Sequence, residues 1–303
     1  MTHINQIKAA SIVEKQIFKA LMIKFEKFNF HPIRLVQASK SLIGLDLEKP
    51  NRKLLDFNSI YLENYNNDIT PKIFLNTQIS ETITIHDLEK AFIKKDKHVI
   101  KSCLIELSMV SSALHILEYL IEITLKQSGK SFLAIWSLYR SILFVNKKDV
   151  RFFLDFAVDV ILSDTFENVS DEVDNFQLND LIQYSSLSLN FIDLYSHLLE
   201  AYESELVRSS KIRPLILDLL GRKLKIEGLD EFINKKNTIK YVDLLKNGRL
   251  WLLDFLNQIN SQKITINLIL FLDSIRCLFK FLDKKDYKFI CFQFDKLIKD
   301  FDV

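Results

Sequence analysis

Histidine is the residue type that most often carries out acid–base chemistry near neutral pH, and this chain contains six. Three of them, His31, His115 and His197, lie within or beside helix-like segments, so we take them as the candidate catalytic residues. A ferritin-like di-iron site requires a Glu three residues before a His, and no histidine of this sequence has one. The sequence therefore gives no metal-ligand set.

Two of these histidines belong to polar stripes at helical spacing, where side chains three, four or seven residues apart share one helix face. The stripes are His115, Glu118 and Glu122 in one segment, and Asp193, His197 and Glu200 in a later one. Two interpretations stay open. The stripes could meet across the core and form a site, or each could be a solvent-facing surface or a structural histidine paired with a carboxylate.

Trp136, Tyr139 and Arg140 form a second constellation, in the strongly apolar segment IWSLYRSILF. A buried arginine needs a partner, so Arg140 could bind an anion in a pocket beside the aromatic rings. The alternative is an aromatic packing residue with an arginine that extends to solvent. These three residues are the candidate ligand-binding residues.

The dipeptide His86-Asp87 matches the metal-binding pair of HD-type phosphohydrolases. Asp87, however, follows Thr84 at the spacing of a helix cap, where a hydroxyl and an acidic residue bind the first amides of the helix. Capping is the interpretation that we favour for this dipeptide.

Glycine and proline usage sets the fold class, because the chain has only five Gly and four Pro, and sheet-rich folds need such residues at their many turns. The glycines are isolated, which excludes a Gly-rich nucleotide-binding loop. Short polar joints connect successive amphipathic segments, and no repeat of fixed period emerges. We predict an all-α fold, either an irregular multi-helix bundle or a degenerate α-solenoid.

Hydrophobic periodicity predicts most of the chain to be helical, within a single helical domain over 1–303. The polar, acidic stretch 163–179 interrupts this pattern, and we predict a mobile, exposed loop there between two helical halves. The predicted helices are 4–28, 32–44, 58–65, 88–93, 99–107, 110–125, 132–145, 150–162, 181–207, 214–220, 241–246, 250–259, 264–281 and 287–301.

Charge and cysteine usage bound the class of protein. The formal net charge is only +2, so no one-sided basic surface for specific nucleic-acid binding is expected. The three cysteines do not form a CxxC pair, which favours buried, reduced thiols. The longest apolar stretch, 264–282, contains Asp273, Arg276 and Lys280, which are costly in a bilayer, so we expect no transmembrane segment. With no secretory signal, we expect a cytoplasmic protein.

The segment FNFHPIRLVQASKSLIGL, followed by IYLENY and ITP, resembles the N-terminal part of the questin oxidase-like family. The segment AFIKKDKHVIKSCLIELSMVSSALHILEYL and the Trp of AIWSLYR are similar to that family's central helices. The resemblance covers about half of the chain. It implies an all-α oxidoreductase that acts on an aromatic or polyketide-like compound, for which a nicotinamide could serve as the reductant, and it points to His31 and His115.

Three functions follow from these patterns. The first is a helical interaction or scaffold protein that binds a protein partner. The second is an oxidoreductase of the questin oxidase-like kind, or a small-molecule-binding protein, with a pocket lined by the candidate residues; their convergence in space would favour it. The third is binding to a membrane surface through the basic N-terminal helix. The candidate pocket residues are His31, His115, Trp136, Tyr139, Arg140 and His197.

Overall fold

The computed structural model describes residues 5–23, 31–65, 85–144, 150–167, 176–227, 232–233 and 240–301. These ranges contain fourteen α-helices and no β-sheet, so the predicted all-α class is confirmed. Two isolated β-bridges, Gln127 with Phe166 and Tyr184 with Phe232, are the only β pairings within them. Parts of the predicted first helix and of the predicted acidic loop, and Thr84, lie outside the described residues.

Several of the connections that the structure describes in full are short joints or short 3₁₀ segments. The bounds of the helices are α1 Gln6–Leu21, α2 Pro32–Ile43, α3 Arg52–Glu63, α4 Ile85–Ile93, α5 Lys97–Val110, α6 Ala113–Leu125, α7 Lys130–Ser141, α8 Val150–Leu162, α9 Leu189–Glu203, α10 Ser209–Glu227, α11 Val242–Asn247, α12 Trp251–Gln258, α13 Ile266–Phe281 and α14 Tyr287–Leu297.

Short polar side chains fix where many of these helices begin. Ser112, Ser188 and Thr265 each accept a hydrogen bond from the backbone N–H three residues further on, at 3.3, 3.1 and 3.2 Å. Such caps satisfy an amide that has no partner inside the helix. Pro32 starts α2, where its missing N–H is not needed.

Several predicted boundaries were wrong, among them the start of the helix predicted over 58–65, which begins at Arg52. The predicted helix 181–207 divides into two elements, the 3₁₀ segment Leu178–Gln183 and α9. They are separate because the backbone of Ser188 is extended and its side chain caps the start of α9. The predicted helix 214–220 begins earlier, at Ser209, and Pro214 lies inside it. Proline there leaves the carbonyl of Ser210 without its helical donor, and Ser210 is exposed, so water can bind that carbonyl.

In the described part of the acidic stretch, Ser163, Thr165 and Gln177 are exposed, whereas Asp164 is not. Asp164 is buried, with 5% of its surface exposed, and its carboxylate accepts hydrogen bonds from Ser128 Oγ at 2.6 Å and Ser131 N at 3.1 Å. It therefore caps α7, a helix whose own N-cap residue, Gly129, has no side chain to do so. The acidic composition of this stretch is partly a structural requirement.

Four helices form the centre of the molecule. Helix α13 packs on α9 and α2, and α7 packs on α2 and α9, while one apolar core includes residues of all fourteen helices. The early turns of α2, α7, α9 and α13 lie around one space, and later turns of α7, α9 and α13 meet through Arg140, Glu200 and Arg276, so the four helices run in a similar direction. Arg34 meets Asp193 near the starts of α2 and α9, and Ser41 meets Arg140 near the ends of α2 and α7.

Among the described residues, none of the helices is both long enough and apolar enough to cross a bilayer. The longest apolar helix of the centre, α13, carries buried Asp273 and Arg276 midway along its length.

Gly129 is a point at which the backbone depends on glycine. Its φ is +85°, and a Cβ there would lie 3.2 Å from Leu219 Cδ2. We expect Gly129→Ala to lower the free energy of unfolding by about 1–3 kcal/mol, through left-handed strain and a close contact. Urea unfolding followed by circular dichroism measures the change.

The matched control is Gly44→Ala, at the end of α2. Gly44 has a right-handed φ of −65°, and its nearest atoms to an added Cβ are helical carbonyl oxygens at 3.4 Å. That variant should change the free energy of unfolding by less than about 0.5 kcal/mol. Equal losses in both variants would contradict a special role for the conformation of Gly129.

Candidate functional site

A group of charged and polar side chains lies buried where α2, α7, α9 and α13 meet. Charged groups in a protein interior need partners, because burial removes the hydration that stabilises their charge. We call this group the central polar cluster. Its members are Arg34, Trp136, Arg140, Asp193, His197, Glu200, Asp273, Arg276 and Cys277.

Glu200 of α9 is the most heavily bonded carboxylate of the cluster. Oε2 accepts a hydrogen bond from Trp136 Nε1 at 2.9 Å and lies 2.8 Å from Arg140 Nη1, while Oε1 lies 3.5 Å from Arg276 Nη2. Burial alone would raise the pKa of Glu200, but Arg140, His197 and Arg276 outweigh burial and hold that pKa well below its usual range. Glu200 is therefore a fixed negative charge rather than a proton donor.

Helix α13 supplies the side chains on the other side of the cluster. Arg276 Nε lies 2.6 Å from Asp273 Oδ1, and Arg276 Nη2 donates to Cys277 Sγ at 2.9 Å. Burial would lower the pKa of Arg276, but Asp273 and Glu200 together raise it, so the guanidinium stays charged. Burial raises the pKa of the Cys277 thiol well above its ordinary value, so Cys277 is protonated and a poor nucleophile.

His197 lies between Glu200 and the cluster side chains of α13. Its Nδ1 lies 3.6 Å from both Glu200 Oε2 and Cys277 Sγ, and its Nε2 lies 3.6 Å from Asp193 Oδ1 and 3.8 Å from Asp273 Oδ2. Both ring nitrogens therefore face acceptors within the cluster.

His197, Asp273 and Cys277 each offer a metal-ligand atom, and these three atoms lie within 4.8 Å of one another. The charges around them do not favour a cation, because three arginines already balance three carboxylates, with Arg34 2.5 Å from Asp193. A divalent ion would also require the buried Cys277 thiol to lose its proton. The cluster fits an ion-pair network better than a metal site.

Lys40 of α2 lies at the edge of this network. Its Nζ donates to the carbonyl of Arg140 at 2.6 Å and lies 4.4 Å from the centre of the Phe144 ring. Burial and the neighbouring Arg140 lower the pKa of Lys40 to about 7, against the raising effect of Asp273 and Glu200. The amine therefore adds little positive charge above neutral pH, consistent with a cluster that is already balanced.

The structure brings together three of the six candidate residues, Trp136, Arg140 and His197, and it does so around Glu200. Tyr139 joins them indirectly. Its ring stacks on Trp136 with the centroids 5.3 Å apart, and its hydroxyl donates to Glu118 Oε1 at 3.2 Å.

The two polar stripes are therefore linked through Trp136 and Tyr139, and neither stripe is a solvent-facing surface as a whole. Glu118 and Glu122 of α6 are buried, and Glu122 Oε2 lies 2.6 Å from Arg208 Nη2. On α9, His197 and Glu200 are buried as well. The alternative of a structural histidine paired with a carboxylate describes the α9 stripe, whereas in the α6 stripe only the two glutamates are buried and His115 is exposed.

His31 caps α2 rather than facing the cluster. Its Nδ1 accepts from Ile33 N at 3.1 Å, its Nε2 lies 3.3 Å from the carbonyl of Ile23, and its ring packs 4.5 Å from that of Phe156. Burial lowers the pKa of His31 to about 4, although the Ile23 carbonyl opposes this shift. At neutral pH the imidazole is uncharged.

His115 lies in other surroundings, at the start of α6. It lines a cavity of about 230 Å³ together with Ile85, Leu107, Tyr119 and Val207. We call this space the second cavity. The structure therefore places His31 and His115, the two histidines to which the family resemblance points, in separate environments.

The first cavity, of about 250 Å³, opens beside the central polar cluster at the amino-terminal ends of α2, α7, α9 and α13. Arg34 and Asp193 belong to both the cavity wall and the cluster. The wall residues are Arg34, Ser128, Gly129, Lys130, Leu133, Leu189, Asn190, Asp193, Leu194, Lys223, Asn267, Leu270 and Phe271.

Sequence reasoning missed Arg34, Asp273, Arg276 and Cys277 as site residues. A usable indication was present for two of them, since Asp273 and Arg276 interrupt the apolar stretch 264–282 and are three residues apart on one helix face. Such a pair in a buried helix predicts an internal ion pair. Arg34 has no comparable indication, because its partner Asp193 is distant in sequence.

Comparisons of this chain with known protein families, with curated proteins and with solved structures gave no match.

The pKa of His31 predicts a pH-dependent stability. The unfolded imidazole takes up a proton near pH 6.5, but the folded one does so only near pH 4, so stability is full above 6.5 and falls as the pH drops towards 4. We expect His31→Asn, which keeps a capping oxygen, to remove this fall of up to about 1.4 kcal/mol per pH unit. Urea unfolding of both proteins between pH 7 and 4 measures it; parallel curves would contradict the assignment.

The charge balance of the cluster predicts a large loss when one arginine is removed. Arg276→Met leaves Asp273 and Glu200 with an unbalanced buried charge, and we expect a loss of about 3–5 kcal/mol in the free energy of unfolding. Adding Asp273→Leu to that variant should recover part of this loss, because both charges of the pair are then gone.

The control is Arg52→Met, which breaks an exposed pair with Asp56 on α3. Exposed pairs contribute about 0–1 kcal/mol, so this variant should be close to the wild type in thermal or urea unfolding. Similar losses in the two single variants would show that the buried network has no special weight.

Proposed function

We propose that this protein is a helical binding protein that holds a small molecule in the first cavity. The observation that carries the proposal is the cavity itself, about 250 Å³ in volume and bordered by the early turns of the four central helices. Binding sites in helical proteins are commonly concave spaces between helices, with apolar walls and a few polar groups.

The central polar cluster supports the proposal by fixing the wall of the cavity. Arg34 and Asp193 line the cavity and are held by each other, and Asp193 Oδ1 also accepts from Ser274 Oγ at 3.3 Å. A wall whose charged groups are already paired needs little reorganisation when a ligand enters, which lowers the cost of binding.

Binding fits the cluster better than catalysis. Trp136 and Arg140 are bonded to Glu200, and His197 lies among acceptors on both of its nitrogens. A general acid or base must reach a substrate, and these side chains reach one another. Trp136, Arg140 and His197 converge on Glu200, but none of the six candidate residues lines the first cavity, so the proposal rests on the cavity and not on that convergence.

A second candidate function is binding of a protein partner at the second cavity. Apolar side chains are exposed at its rim, with Val207 71% and Val110 83% exposed, and Val110 directly precedes Ser111 of the cavity wall. An apolar segment of a partner would cover these side chains. This surface is the specific support for an interaction or scaffold protein.

The test is native mass spectrometry of the protein purified from its own source, for the wild type and for Leu133→Trp. Leu133 lines the first cavity, so the larger indole should fill the space and displace a bound molecule. We expect a small-molecule mass on the wild type that is absent from the variant.

The control is Leu143→Trp, at an exposed leucine beyond the end of α7, which should keep the bound mass. A wild type without a small-molecule mass, or one whose bound mass survives Leu133→Trp, would overturn the small-molecule proposal. A stoichiometric protein partner found in its place would favour the second candidate function.

A further inference from the structure

We propose, on the basis of the binding function above, that the first cavity takes an amphiphilic anion, in which a phosphate or carboxylate head is joined to a short apolar group. The side chains around the cavity are of two kinds, polar and apolar, and a ligand that fits both has a polar part and an apolar part. Cationic and hydrogen-bonding groups would hold the head, and leucine and phenylalanine side chains would cover the tail.

The charge of the wall favours an anion. Arg34, Lys130 and Lys223 are cationic, whereas Asp193 is the one carboxylate among the wall residues. Arg34 lies 2.5 Å from Asp193 and neutralises it. Lys223 lies 3.8 Å from Glu167, too far for a hydrogen bond, so its ammonium hydrogens can still bind a ligand. A cationic ligand would meet a net positive wall.

The helices add partial positive charge at the same place. The first amides of a helix have no partner within it and carry about half a unit of positive charge together. Asp164 already occupies the start of α7, and Ser188 and Thr265 cap one amide each at the starts of α9 and α13. Leu189 and Asn190 of α9 and Asn267 of α13 are first-turn residues on the cavity wall. An anion near them is stabilised by the dipoles of α9 and α13.

Neutral hydrogen-bond donors complete the polar side of the cavity. Asn190 and Asn267 line it, and a carboxamide can donate to an oxyanion. Donors of this kind orient an anionic head without adding charge.

The remaining wall residues are apolar, so they favour a ligand that has an apolar tail. Phe271 is buried in the core, and Leu133, Leu189, Leu194 and Leu270 lie around the same space. Inorganic phosphate would leave these side chains uncovered, whereas an organic anion would bury them and gain the hydrophobic contribution. The apolar side chains therefore favour an organic anion over inorganic phosphate.

The experiment is a calorimetric titration of the full chain at constant ionic strength. The ligands are butyl phosphate, butyrate, inorganic phosphate, butan-1-ol and butylammonium. We expect butyl phosphate or butyrate to bind at least about tenfold more tightly than the last three, because a charged hydrogen bond and tail burial both contribute. The better of the two anions identifies the head as phosphate or carboxylate.

Two double variants locate the site. Lys130→Gln with Lys223→Gln should weaken binding of the preferred anion by about tenfold or more. Lys284→Gln with Lys285→Gln removes the same charge from exposed positions in the turn before α14 and should leave the affinity unchanged. Equal weakening in both would mean that general charge, not the cavity, attracts the anion.

The outcomes separate this inference from the function on which it rests. If neither anion binds, or butan-1-ol or butylammonium binds as tightly, the inference fails, yet the function stands if Leu133→Trp still removes a bound molecule. If inorganic phosphate binds as tightly as butyl phosphate, the amphiphilic character is wrong. If the natural protein carries no small molecule, the binding function itself fails.

Discussion

The placement of Glu200 between two arginines is the interaction on which the centre of this molecule depends. Arg140 comes from α7 and Arg276 from α13, so one carboxylate on α9 bonds to side chains of two other helices. In a medium of low polarity, each of these groups is stable only while the others are present. The network therefore selects one arrangement of the helices among the many that could bury the same apolar area.

The common direction of α2, α7, α9 and α13 has electrostatic effects at both ends. Their first turns border the first cavity, where positive partial charges gather, and Arg140 lies near the last turn of α7. Cations at the ends of helices offset the negative partial charge there. Parallel helices packed side by side repel one another because like partial charges meet at each end, and a cation such as Arg140 reduces that repulsion.

The helical class followed from glycine and proline usage and from the period of the apolar residues, because these properties act locally. Local rules also explain the errors, since Ser188 starts a helix that periodicity alone placed earlier, at residue 181. Asp164 lies in a stretch whose acidic composition is typical of a loop, and this composition gave no sign that its carboxylate caps α7.

The candidate site was only partly predictable, for a physical reason. Trp136, Arg140 and His197 could be selected by type and spacing, but the carboxylate that unites them lies on a different helix from the first two. The cavity depends on how whole helices pack, and no single segment encodes it. Pairs such as Arg34 with Asp193 become visible only when the chain is folded.

The sequence order of the central polar cluster has a consequence for synthesis on the ribosome. Arg34, Arg140 and Glu200 are made well before Asp273 and Arg276, which lie in the thirteenth of fourteen described helices. Before α13 leaves the ribosome, Arg34 can already pair with Asp193 and Arg140 with Glu200, and α13 then adds Asp273 and Arg276 as a pair of opposite charge. Each stage of synthesis therefore adds cluster charges that balance one another, and the four-helix centre is complete only after most of the chain has been translated.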